Sequence, residues 1–177
     1  MLLILNQLST EHMNEKVVPD VALIAREMTS KSQVGIILSR FLGLNSMSKL
    51  RLMINNLAFL PLLAKMDFAV GIKVLCELEI LKMSESGKLG RVILHNQMTD
   101  MALALGNKRM IAYFFFLSEK YGFLPGVKTF NTGAMIKFLN GYSIIPSELK
   151  IYVPENKENV AVTEYIKKSN LKFINIE

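Results

Sequence analysis

His95 and Cys76 are the residues of this chain whose intrinsic chemistry comes closest to catalysis, an imidazole that titrates near neutrality and a thiol. His95 directly follows the apolar run Arg91-Val92-Ile93-Leu94, a position from which it could act as a general base. Cys76 lies between Leu75 and Leu78, the surroundings of a small buried hydrophobe rather than an activated thiolate. Nothing near either residue in sequence supplies a dyad or triad partner, so no catalytic residue is assigned and the reading leans away from an enzyme. His12 and His95 are the only histidines and Cys76 the only cysteine, too few for a four-ligand structural metal site. No GxGxxG or GxxxxGK[ST] occurs, so neither a metal nor a nucleotide cofactor is expected.

A second kind of chemistry sits where apolar runs end in polar residues. Leu5 is followed by Asn6-Gln7, Leu94 by His95-Asn96-Gln97, Phe130 by Asn131-Thr132-Gly133, and Val153 by Pro154-Glu155-Asn156-Lys157. If these runs are parallel strands, all four junctions share one sheet edge, where open α/β folds place their ligands. Asn131, Thr132 and Gly133 are the sharpest case: glycine permits close approach, and the next helix offers unpaired amides to an anion. Together with His95 they form a candidate anion site. The function they imply is a small α/β ligand-binding protein or enzyme that uses an anionic or phosphorylated small molecule at the strand carboxyl ends. The same residue types also serve as ordinary helix caps and turns.

The stretch from Leu23 to Leu94 carries a different pattern, and carries it twice. Leu23 to Met28, a turn over Thr29 to Ser32, and Gln33 to Phe41 read as helix, turn and helix. Leu62 to Met66, Asp67 and Phe68 to Leu78 repeat it, followed by Ile80 to Met83, a Ser/Gly/Lys tip over Ser84 to Gly90, and Arg91 to Leu94, which read as a two-stranded ribbon. This layout resembles the winged-helix, or helix-turn-helix, superfamily, and the doubling is similar to the tandem winged-helix subunits that accompany chromosome-organising ATPases. The resemblance implies a non-enzymatic protein that binds DNA or RNA, one subunit of a larger complex. Lys31, Gln33 and Arg40 would then lie on or beside the first recognition helix, Lys73 on the second, and Lys88 and Arg91 on the ribbon, neutralising phosphates and reading base edges. A helix over Val34 to Leu38 favours this reading, whereas a buried strand there favours the ligand at the sheet edge.

The elements that must position these groups are mixed in kind. Pro19 suits a helix start, Leu50, Met53, Ile54, Leu57 and Leu60 keep a helical period, and Pro61 ends or kinks that helix near Phe59. The run Met110 to Tyr121, with three consecutive phenylalanines, reads as buried throughout. After a Pro125-Gly126 turn, a strand over Val127 to Phe130, a helix over Ala134 to Leu139 and a strand over Leu149 to Val153 spell a βαβ unit, which a helix over Asn156 to Ser169 and a strand over Leu171 to Ile176 extend. The fold class expected is therefore mixed α and β: a helical N-terminal half with a winged-helix-like element and a βαβ-containing C-terminal part. At this length, 1–177 reads as one compact unit, with 1–94 and 95–177 as the sub-parts if it divides. Half the residues are apolar and a fifth charged, a globular rather than a disordered balance. The formal charge of +6 favours an anionic partner, nucleic acid or an acidic surface. A protein partner or homo-oligomer is the other expectation, through apolar patches. A single cysteine fits a reducing compartment, and no apolar run reaches the ~20 residues of a membrane span, so a cytoplasmic protein is expected.

Overall fold

A computed structural model describes residues 15–28, 33–65, 67–85, 87, 90–141, 146 and 148–153. In chain order they form β1 (Glu15–Val18), α1 (Val21–Met28), α2 (Gln33–Leu42), α3 (Ser46–Asn56), a 3-10 turn (Leu57–Phe59), α4 (Leu60–Ala64), α5 (Phe68–Glu85), β2 (Arg91–Leu94), α6 (Asn96–Ala104), α7 (Lys108–Tyr121), β3 (Leu124–Lys128), α8 (Thr132–Asn140) and β4 (Lys150–Tyr152). The mixed α and β class stands. The expected strands and helices beyond Val153, and the first apolar run with Leu5, lie outside the described residues.

All four strands are parallel and lie in the order β1-β2-β3-β4, so every neighbour in the sheet is also the next strand in sequence. Side chains alternate between the two faces of a strand. Val18, Leu94, Val127 and Ile151 share one row across the sheet, and with Val92 and Val153 they enter one apolar core with Ile80 of α5, Ile111 and Phe114 of α7 and Met135 of α8. These helices therefore cover a single face, because each crossover in a parallel sheet wound in one direction returns on the same side. α5 is the centre of the molecule. Ala69, Ile72, Cys76 and Ile80 face the sheet layer, while Val74, Leu78 and Leu81 pack against Leu44 and Leu52 of the α2–α3 layer. The sheet takes strands from both sides of residue 94, so the two sub-parts share one core.

The other face of the sheet carries a polar cluster. Tyr152 lies across Gly126 and donates its hydroxyl to Glu15 Oε1 at 2.8 Å. Arg91 is buried, with Nη1 donating to the carbonyls of Pro125 at 2.8 Å and Glu148 at 3.0 Å. Gly126 is what permits this: a Cβ there would stand 2.9 Å from Tyr152 Cε2 and 3.0 Å from Ile93 Cγ1.

Glu15–Val18 is the outermost of the described strands, with Glu15 and Lys16 exposed and Val18 buried. Three local expectations are corrected. Pro125 and Gly126 lie inside β3 rather than in a turn. Leu124 donates to Gly90 O beyond β2 and Thr129 to Tyr152 O on β4, so the odd-numbered amides of β3 face β4. Pro125 precedes the β4 ladder, which starts opposite Gly126, and its missing N–H breaks no bond. The ribbon is also replaced: residues 80–85 continue α5, and Arg91–Leu94 pairs in parallel with β1 and β3 instead of in a hairpin. Last, the Phe run is not wholly buried, since Phe114 and Phe115 point inward but Phe116 is 49% exposed under Lys120.

Candidate functional site

The carboxyl edge of the sheet gathers three strand-to-helix junctions, each with its own cap. β1 leads through Asp20, whose carboxylate accepts from Leu23 N at 2.9 Å and starts α1. β2 leads to His95, whose Nδ1 accepts from Gln97 N at 3.2 Å and starts α6. β3 leads to Asn131, whose side-chain oxygen accepts from Ala134 N at 2.9 Å and starts α8. Such side chains pair one of the four amides that every helix start leaves without an intrahelical partner, and the rest give the edge a positive potential.

Backbone and side-chain bonds lock this edge. His95 N donates to Val18 O at 2.8 Å, joining β2 to β1, and Thr129 N donates to Tyr152 O at 3.0 Å, joining β3 to β4. Asp100 of α6 reaches the β3–α8 junction, accepting the hydroxyl of buried Thr129 and the amide of Phe130 at 3.1 Å. Thr129 Oγ1 accepts in turn from Asn131 N at 3.0 Å. Asp100 thus fixes the spacing between the two helix starts, α6 and α8, that flank the centre of the sheet.

The electrostatics of the edge suit a neutral imidazole beside a cation. Burial pushes the His95 pKa below its ordinary value, the charge of Lys128 adds to this, and Asp20 opposes it. Lys128 is exposed at the last position of β3, and Phe130, 53% exposed, follows it at the lip.

Of the residues assigned to an anion site, His95 and Asn131, Thr132 and Gly133 are brought to one edge on adjacent strands, as a parallel sheet requires. Thr132 is buried and Gly133 lies in the first turn of α8. Gly133 does not take a left-handed backbone, and a Cβ added there meets nothing within 4 Å, so its value is open space alone. The first junction, Asn6-Gln7, and the last, from Pro154 onward, lie outside the described residues. Asp20, Lys128, Thr129 and Asp100 were missed. Asp20 follows Pro19 directly before an apolar helical period, the signal of an N-cap, and Lys128 was legible as the polar end of an apolar run.

The residues assigned to nucleic acid are dispersed. Lys31, Lys88 and the Gln33 side chain lie outside what is described. Arg40 pairs with Glu79 at 2.6 Å and Glu27 at 3.1 Å. Lys73 is buried, 3.1 Å from Glu77 and 2.7 Å from Asn56 Oδ1, and Arg91 is buried at the opposite end of β2 from His95. Arg40 joins α2 to α1 and α5, Lys73 joins α5 to α3, and Arg91 joins β2 to β3 and to the segment before β4.

Cys76 is buried, and burial pushes its thiol well above the ordinary range, which leaves it without thiolate chemistry at neutral pH. Among the described residues no helix is long and apolar enough to cross a membrane. Compared with protein families, with curated proteins and with solved structures, the chain matches none.

Proposed function

We propose that the carboxyl edge of this sheet binds a small anionic or phosphorylated molecule. The observation that carries the reading is the pairing of α6 and α8 starts on adjacent parallel strands, with exposed Lys128 and a neutral-leaning His95 at the same edge. Two amide-rich helix ends and a lysine supply positive potential, and His95, whose Nδ1 accepts from Gln97 N, has its other ring nitrogen left as a donor to an anion. Gly133 leaves room for an oxygen to approach the first turn of α8.

Thermal-shift measurements across inorganic phosphate and a panel of phosphorylated metabolites test this. A ligand that binds the folded state raises its melting temperature, by about 2.7 kcal/mol of stabilisation at a hundredfold excess over Kd. Gly133→Val and Lys128→Ala should each reduce that response while leaving the unliganded protein folded, since neither position is packed against a neighbour in the core. A flat wild-type response at millimolar ligand removes the proposal.

Nucleic acid is the second reading, favoured by the finding that residues 34–38 are helical, as a helix-turn-helix needs. Fluorescence anisotropy with duplex and single-stranded probes at low salt decides it, because phosphate contacts give affinity that falls steeply with salt.

A further inference from the structure

Helix α3 is folded with its polarity reversed. Its inward positions are Ser48, Leu52 and Asn56, while Met47, Leu50, Met53 and Ile54, with Leu57 of the following turn, point to solvent, each between 54% and 68% exposed. Positions 47, 50, 54 and 57 recur at the helical period and form one stripe, with Met53 beside it. The inward side is held by the apolar contact of Leu52 and, on either side of it, by polar bonds. Asn56 Nδ2 donates to Glu77 Oε2 at 2.9 Å, Asn55 Nδ2 donates to Glu77 Oε1 and to Tyr121 Oη, both at 2.8 Å, and Lys73 donates to Asn56. The orientation is therefore specified: turning the apolar stripe inward would take Asn55 and Asn56 away from the buried Glu77–Lys73 pair and leave part of its hydrogen-bonding capacity unmet, a cost that opposes the gain from burying a few side chains.

We infer that this stripe docks on an anionic membrane surface, lying in the plane of the interface. The charge of the surrounding sequence selects that occupant. From Met28 to Met66 there is no Asp or Glu, and the stripe is accompanied by exposed Arg51 and Lys65 and half-buried Lys49. The carboxylate at the start of α3, Glu85, already accepts the Asn45 amide at 2.9 Å. Apolar residues flanked by cations without acids are what in-plane membrane helices present, the apolar side chains entering the acyl boundary while lysine and arginine reach the headgroups. A second copy seated on the same stripe would bring two sets of Arg51 and Lys65 to one interface with no carboxylate from residues 28–66 to pair them, which charge repulsion opposes.

Co-sedimentation of the full chain with vesicles tests the inference. Vesicles of phosphatidylcholine mixed with phosphatidylserine should pellet the protein, phosphatidylcholine alone should not, and added salt should release it. Arg51→Ala should weaken partitioning by about fivefold, and Ile54→Glu by roughly tenfold or more. Both side chains point outward, so circular dichroism and the melting midpoint should match the wild type. Failure to pellet with the anionic vesicles overturns the inference. So does equal pelleting with phosphatidylcholine alone, or a dimer in sedimentation velocity that Ile54→Glu dissolves while vesicles leave the protein in the supernatant.

Discussion

The side chain on which most of the helical layer depends is Glu77. Fully buried on α5, it accepts four hydrogen bonds, from Lys73, Asn55, Asn56 and Tyr121, and so ties α3 and the end of α7 to the central helix. Burial alone would raise its pKa; the bonds from Tyr121 and Asn56, the charge of Lys73 and the bond from Asn55 outweigh it, and the net direction is down from 4.5. A depressed carboxylate contributes stability above its unfolded pKa and loses it as pH falls through the folded value. Glu77→Gln should thus cost about 3–5 kcal/mol at neutral pH, by leaving Lys73 without a counter-charge, and should flatten the loss of stability as pH falls below 4.5. Urea denaturation at a series of pH values reads both effects. Adjacent phenylalanines offer a second comparison at this scale. Phe115→Ala should cost about 3–5 kcal/mol, whereas Phe116→Ala, at a half-exposed position, should cost a small fraction of that, measured by the same denaturation midpoints.

Among elements, β3 shows how much a strand can depend on the residue opposite. Gly126→Ala places a methyl within 2.9 Å of the Tyr152 ring and 3.0 Å of Ile93, and should destabilise by about 1–3 kcal/mol. Tyr152→Ala in the same background should recover part of the loss if the ring is the obstacle, which a double-mutant cycle measures. Several elements were legible in sequence for local reasons: α2, α6 and α8 carry helical periods with caps or glycine stops, and β3-α8-β4 carries the strand, helix, strand alternation of a βαβ unit. Those that were not depended on partners distant in sequence. The end of α5 read as a strand because residues 80–83 are short and apolar, a run whose period cannot separate strand from helix. β1 contributes only Val17 and Val18 as apolar signal, and its identity comes from pairing with β2. The outward turn of α3 could not be read from its period, since an apolar stripe looks the same whether it faces the core or solvent; Glu77 and Lys73, some twenty residues on, decide it.

Across the whole molecule, a parallel sheet in sequential order with its described helices on one face sends every strand into its crossover from the same edge. That winding is why His95 and Asn131, 36 positions apart in the chain, arrive side by side, and why the polar ends of apolar runs carried more of the candidate site than any motif did. It also accounts for the dispersal of Arg40, Lys73 and Arg91, which serve three different joints between elements. The central claim, an anion-binding edge between α6 and α8, is most directly tested at His95, one of only two histidines in the chain. Its imidazole should titrate by NMR below the ordinary value of 6.5 in the free protein, since burial and Lys128 disfavour the charged form. Bound phosphate should reverse this, moving the His95 titration upward, because a neighbouring anion stabilises the imidazolium. A His95 that titrates at or above its ordinary value and does not respond to saturating phosphate would contradict the account.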